Sequence, residues 1–88
     1  MNANRRKQID KCFKRLEEIE GMIGEVLEMI ADVKNEEEEA YDNLPESLQE
    51  TERGQAMYDA IDALDSAYEA LEAFDISDVT DYLEEAQA

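Results

Sequence analysis

The sequence predicts an all-α protein: a long antiparallel, coiled-coil-like helical hairpin with a short C-terminal helix, dimerising into a helical bundle. Three observations predict this class. Glycine and proline number only 3 and 1 among 88 residues, whereas good helix formers are abundant. Apolar residues recur at spacings of three and four, the period of an amphipathic helix. One proline, Pro45, interrupts the pattern near the middle of the chain. A chain of this length has room for a single domain, here residues 1–88.

Helix 1 is predicted over about residues 4–43, because a strict seven-residue apolar repeat begins at Ile9. If Ile9 is position a of the heptad, position d is occupied by Cys12, Ile19, Val26 and Val33. Such a repeat predicts that positions a and d face a second helix in a left-handed supercoil. We therefore expect Cys12 to point inward, as a small buried apolar side chain.

The apolar stripe of helix 1 is wider than a simple two-helix seam. Phe13 and Leu27 occupy position e, and Met22 and Met29 occupy position g. A stripe this wide usually contacts more than one helix. These four residues are therefore the candidate oligomer interface, and we expect a homodimer.

Two further helices are predicted after Pro45. The apolar spacing between Met57 and Phe74 indicates a helix over about 50–74, which begins either at a Ser47–Glu50 capping box or at Thr51. Before it, a short turn could place Leu48 over the end of the hairpin. A break at 75–77 precedes a short amphipathic helix over about 77–86. This last helix either continues along helix 1 or folds over.

Charge is distributed unevenly along the chain. The formal net charge is −17, yet residues 1–15 carry six cations against one carboxylate. In an antiparallel hairpin this basic tip lies beside the acidic C-terminal tail, so we expect the tail to neutralise it. The alternative is that the tip binds an acidic surface of a partner, or nucleic acid. For the molecule as a whole no direct nucleic-acid binding is expected, because phosphates would be repelled by the polyanionic body.

The usual catalytic groups are missing or isolated. The chain has no histidine, which removes the commonest general base and the commonest metal ligand. No serine lies in a nucleophile motif, and Cys12 has no histidine partner. We therefore expect that the protein is not an enzyme and that it binds no cofactor.

Carboxylates leave one enzymatic alternative open. Glu36–Glu39 and the spacing Glu69-x-x-Glu72-x-x-Asp75 are similar to the carboxylate pairs through which all-α nucleotide pyrophosphohydrolases bind magnesium. With 25 acidic residues such spacings arise by chance, and Glu36 and Glu39 fall on positions g and c, which do not both face the helix interface. Magnesium-dependent hydrolysis is therefore kept only as a second alternative, and no metal site is predicted.

One face of the second helix carries a ladder of carboxylates at spacings of three and four, formed by Asp59, Asp62, Asp65, Glu69 and Glu72. The simplest reading is a solvated surface. The functional reading is a candidate acidic binding face, because carboxylates one turn apart are separated by roughly 5–6 Å. That spacing is comparable to that of backbone phosphates. A helix with such a ladder could occupy a site built for nucleic acid, or bind a basic protein.

The connector between the first two predicted helices resembles a segment of known proteins. The run Asn43-Leu44-Pro45-Glu46-Ser47-Leu48-Gln49, followed by Glu52-Arg53-Gly54 and by Ala60-Ile61-Asp62-x-Leu64, resembles small acidic helical proteins of unknown function from phages and mobile elements of gut Firmicutes. The resemblance implies a bacterial or phage cytoplasmic setting and no assigned activity. Read physically, the same segment is a helix stop, a cap and a turn, in which Arg53 would neutralise nearby glutamates.

Function is therefore expected to be binding. The first hypothesis is a non-enzymatic acidic protein-binding module, such as a phage-encoded inhibitor that mimics nucleic acid to block a host nuclease or defence system. The alternative is a structural or assembly coiled coil of a phage or mobile element. A single cysteine and the lack of a membrane-spanning apolar run indicate a cytoplasmic protein without membrane contact.

Overall fold

The computed structural model describes residues 1–88 and contains only α-helices, so the all-α class is confirmed. The four helices are α1 (Ala3–Asp42), α2 (Glu46–Gln49), α3 (Glu52–Glu72) and α4 (Ser77–Gln87). Each long helix begins and ends within two residues of the range expected from the sequence. The one-turn helix α2 occupies the place of the expected turn. None of the four helices combines the length and apolarity needed to cross a membrane.

Helix α1 is capped at both ends by side-chain amides. At its start the side-chain oxygen of Asn2 accepts a hydrogen bond from the backbone N–H of Arg5 at 2.9 Å. At its end no basic residue occupies the last turn. Instead, the amide of Gln49 donates to the carbonyls of Tyr41 and Leu44, at 3.2 and 3.1 Å. The Tyr41 carbonyl also accepts the backbone N–H of Leu44 at 3.0 Å, so the Gln49 amide gives it a second partner and gives the Leu44 carbonyl, just beyond the helix, a partner from the connector.

The connector decides between the two expected starts of the second helix. Thr51 caps α3, because its hydroxyl oxygen accepts the backbone N–H of Gly54 at 3.4 Å. Leu48 does not cover the end of the hairpin, since its side chain is 46% exposed. The turn of α2 uses Gln49 to reach α1, and this leaves Leu48 in solvent. Arg53 forms no ion pair, contrary to the expectation that it would neutralise nearby glutamates.

The chain doubles back so that α3 and α4 run antiparallel to α1. The rings of Tyr41 and Tyr58 lie 6.2 Å apart near the connector. Farther along, Lys34 contacts Asp65. At the far end the Gln87 amide donates to Asp10 at 3.0 Å. Helix α4 therefore continues along α1 and does not fold over. The result is a rod of 69 × 16 × 13 Å.

Helix α1 faces α3 with heptad positions a and e, and not with a and d as the sequence suggested. Half-buried residues include Ile23 and Ile30 at a, and Leu27 at e. All four d residues are exposed, including Cys12, whose expected inward orientation is wrong. The reason lies near the connector. Lys34 and Tyr41, both at position e, have partners on α3, and they rotate α1 toward its a/e edge.

Very little of the chain is fully buried. Only Gly54 and Ile76 are buried, and Ile76, at 7% exposure, is the one buried hydrophobic residue. The accessible surface is 6881 Å², whereas a compact monomer of this mass exposes about 5,300 Å². The radius of gyration is 20.7 Å, against about 12 Å for a compact chain of this length. The single chain therefore leaves much apolar surface in water.

Candidate binding surfaces

The acidic ladder of α3 is exposed along most of its length. Asp62, Glu69 and Glu72 are exposed and appear in no salt bridge or side-chain hydrogen bond. Asp59 accepts a hydrogen bond from Gln55 at 2.9 Å. Asp65 differs from the rest, because it is half-buried and contacts Lys34 of α1. Four carboxylates of the candidate face are thus presented to solvent, while the fifth belongs to the contact between the helices.

Lys34 is the only cation that joins two helices by an ion pair. Its Nζ lies 2.9 Å from the Asp65 carboxylate and 3.6 Å from that of Glu38 on its own helix. The hydrogen bond to Asp65 raises the pKa of Lys34 above its ordinary value, with smaller contributions from Glu38. A raised folded-state pKa means that the stabilising contribution is complete below the ordinary lysine pKa. It is lost as the pH rises through the folded-state pKa.

Replacing Lys34 by methionine is expected to lower Tm by only a few degrees at neutral pH, because a partly exposed ion pair contributes little stability. The difference between wild type and Lys34→Met should disappear above the folded-state lysine pKa. Thermal melts followed by circular dichroism at neutral and strongly alkaline pH measure this. Lys14→Met is the matched control, since Lys14 lies on the same helix and has no ion pair. Equal Tm losses in both variants would contradict a stabilising ion pair between Lys34 and Asp65.

The structure places the four candidate interface residues on two different faces of α1. Phe13 and Leu27 are half-buried on the side that faces α3 and α4. Met22 and Met29 are 61% and 64% exposed and lie on the neighbouring face. Only the two methionines are therefore available in full to a second molecule.

A continuous apolar stripe follows the exposed face of α1. We call it the exposed seam, and it consists of the d and g residues Cys12, Ile19, Met22, Val26, Met29 and Val33. The exposed fractions of Ile19, Val26 and Val33 are 42%, 43% and 50%. A helix in water normally directs such a sustained apolar heptad pattern at another helix. Sequence reasoning found all of these residues but not the face that they share.

The basic tip is not neutralised in the way the sequence suggested. Helix α4 does lie beside the start of α1, but its contact there is the Gln87 amide, which donates to Asp10 and to the carbonyl of Arg6. Of the tip's cations only Arg15 has an ion pair, with Glu18 one turn away at 3.2 Å. The other five have no carboxylate within ion-pair distance: Arg5, Arg6, Lys7, Lys11 and Lys14.

A groove of about 480 Å³ separates α1 from α4. Phe13, Leu16 and Ile76 form its apolar part, and four carboxylates line it as well: Asp10, Glu17, Glu20 and Glu84. Sequence reasoning missed this groove, because it depends on how far α4 stands from α1. An apolar floor beside carboxylates suits the side chain of lysine or arginine, which combines an aliphatic stem with a cationic head.

The carboxylates considered for magnesium do not converge. No group of three or more Asp, Glu, Cys or His side chains is close enough to hold a metal ion. Glu36–Glu39 and the Glu69-x-x-Glu72-x-x-Asp75 spacing thus remain dispersed along the rod. A calorimetric titration with magnesium is the direct test of the hydrolase alternative.

Near the start of α4, the Asp75 carboxylate accepts a hydrogen bond from the backbone N–H of Ser77 at 2.8 Å. This bond lowers the pKa of Asp75. One oxygen of this carboxylate therefore supports the first turn of α4.

Comparisons of the chain with protein-family models, with curated proteins and with solved structures found no match.

Proposed function

We propose that this protein is a non-enzymatic acidic binding module that acts as a homodimer and binds a basic protein in place of nucleic acid. A phage-encoded inhibitor of a host nuclease or defence system would act in this way. One observation carries the proposal. The net charge of −17 averages one negative charge for about every 4 Å of a rod 69 Å long, and the excess of carboxylates lies outside the basic tip. A single nucleic-acid strand carries one charge per 3.4 Å.

The acidic face of α3 supplies the binding surface in this proposal. Asp59, Asp62, Glu69 and Glu72 are exposed on one long helix, so their spacing is fixed before any partner arrives. A preorganised array loses little conformational entropy on binding, in contrast to a flexible acidic tail. The groove between α1 and α4 offers the same partner a place for a lysine or arginine side chain.

Affinity capture from a bacterial host lysate tests the proposal. We expect the immobilised protein to retain a basic protein at low salt, to release it as salt rises, and to release it to added single-stranded DNA. The variant Asp59→Asn/Asp62→Asn/Glu69→Gln/Glu72→Gln removes four charges from the acidic face and should lose the partner. The matched control removes four exposed charges that lie outside both the acidic face and the groove, with Glu28→Gln, Asp78→Asn, Asp81→Asn and Glu85→Gln, and should retain most of it.

Two outcomes would contradict the proposal. The first is an empty capture at low salt. The second is a partner that is retained equally by both variants and resists salt and DNA, because charge mimicry would then contribute nothing.

A second candidate function is a structural or assembly coiled coil of a phage or mobile element. The exposed seam favours it, because an assembly protein needs apolar helix faces that other chains can cover. This candidate predicts higher oligomers that grow with protein concentration and need no other partner. A strict monomer or a discrete dimer in light scattering would count against it.

A further inference from the structure

We propose that a second copy of this chain packs antiparallel against the exposed seam of α1, with the two-fold axis near Met22. This rests on the homodimer of the proposed function and adds the surface and the orientation. Two α1 helices would form the centre of a four-helix arrangement, with α3 and α4 of each copy on the outside.

The seam has the pattern that a second helix requires. Its residues alternate at spacings of three and four from Ile19 to Val33, and Cys12 lies one heptad before Ile19, so the seam covers roughly 33 Å of helix. The spacing repeats every seven residues without a polar interruption except Arg15 at the first g position. Such a repeat is self-complementary, since two identical seams can interdigitate about a two-fold axis.

The excess exposed surface is about twice the area that a standard interface covers on one partner. The chain exposes 6881 Å², roughly 1,600 Å² more than a compact monomer of its mass. A stable interface covers about 800 Å² on each partner. A second copy on the seam would therefore remove about half of the excess, and it would supply the apolar burial that a small helical chain needs.

The charged residues at the two ends of the exposed seam favour the antiparallel orientation. At the first end of the seam, positions on its face or its edge are cationic: Arg5, Lys11 and Arg15. At the other end the edge positions c and g are anionic: Asp32, Glu36 and Glu39. Antiparallel packing brings each cationic end onto an anionic end, whereas parallel packing stacks like charges. The cations Arg5 and Lys11 have no partner within the chain, so both are free for this contact.

The high net charge does not prevent this pairing at physiological salt. Each copy carries −17, but the Debye length is about 8 Å at 0.15 M salt. Repulsion between distant carboxylates is therefore screened, while charges in direct contact at the seam ends are screened much less. Lowering the salt should weaken the dimer, because the long-range repulsion then returns.

The interface is tested by replacing its two most exposed residues. Met22→Glu/Met29→Glu should convert the dimer to a folded monomer in sedimentation equilibrium at 0.15 M salt, with helical circular dichroism retained. Tyr82→Glu is the control, because Tyr82 is 72% exposed on α4, away from the seam. It should remain dimeric. A wild-type monomer at all accessible concentrations, or a dimer that survives the double substitution, would overturn the proposal.

Cys12 provides a native probe of the orientation. In the antiparallel dimer the two Cys12 residues are separated by roughly 30 Å along the helices, so spin labels there should show a long distance. In a parallel dimer the two residues would meet, and mild oxidation would join them by a disulfide, which needs Cα atoms within about 7 Å. A short label distance or rapid disulfide formation would overturn the antiparallel arrangement.

A mixing experiment gives an independent readout. Wild-type chain is combined with Cys12→Ser/Val33→Cys chain and oxidised. Antiparallel packing predicts cross-links between the two different chains, whereas parallel packing predicts cross-links within each kind. These results are separate from lysate capture. A confirmed dimer with an empty capture would refute the basic-protein partner alone, and a captured partner on a monomer would refute the dimer alone.

Discussion

Replacing Gly54 by alanine is expected to destabilise the hairpin by about 1–3 kcal/mol, the usual cost of forcing extra volume into a close contact. Gly54 lies in the first turn of α3, where it packs against the backbone of Gln49. A Cβ atom there would fall onto the Gln49 carbonyl group and within 2.6 Å of its Cα. Backbone cannot move aside as a flexible side chain can. The connector would have to open, and the Gln49 amide would leave the end of α1.

Gly24→Ala is the matched control for this substitution. Gly24 also lies within a long helix, but a Cβ atom there would meet nothing within 4 Å. Alanine should therefore stabilise α1 by about 0.5–1 kcal/mol, because it lowers the entropy lost on helix formation. Urea denaturation of the three proteins, followed by circular dichroism, measures both changes. The same sign of change in both variants would show that Gly54 is not a packing position.

Replacing Ile76 by alanine is expected to detach α4, with a loss of about 2 kcal/mol or more. Ile76 precedes α4 and is 7% exposed, the lowest value of any hydrophobic residue. It also lines the groove beside Phe13 and Leu16. Beyond this contact, the Gln87 amide of α4 donates to Asp10 and to the carbonyl of Arg6, while Thr80 and Leu83 are only half-buried. Most of the anchoring of α4 should therefore depend on one side chain.

Native-state hydrogen exchange locates this effect. In Ile76→Ala the amides of α4 should exchange much faster, while those near the Tyr41–Tyr58 contact should change little. Val79→Ala is the control, because Val79 belongs to α4 but is 47% exposed. If both variants exchange at the same rate in α4, Ile76 is not its anchor. If protection is lost along the whole rod, α4 is not an independent unit.

The ends of the helices could be predicted from the sequence, because the residues that determine them lie at or next to those ends. Pro45 excludes the helical region for the residue before it, and Thr51 has the side chain of a cap. The face of α1 that packs against α3 could not be predicted from the sequence. Four heptad positions are similarly apolar, and the choice among them depends on Lys34 and Tyr41 meeting residues far along the chain. Such partners are known only once the register of the hairpin is known.

The two most buried residues were also missed as packing positions. The helix predicted over about 50–74 includes Gly54 without a packing role, although a glycine in the first turns of a helix lowers its stability and so indicates some other role. Ile76 was read as part of a break between helices, because Asp75 and Ser77 flank it. An isolated apolar residue between two capping residues was the available signal. Its burial depends on where α4 lies, which no local pattern specifies.

The Gln49 contact with the end of α1 has a consequence for folding order. Contacts around the connector join residues only a few positions apart along the chain, so loop closure there costs little entropy. Contacts between Asp10 and Gln87 close nearly the entire chain and become favourable only after the intervening helices have paired. The hairpin should thus begin to form at the connector, and pairing of the helices should then extend toward the two ends of the chain. Its basic tip and α4 would then be the last parts to fold and the first to open.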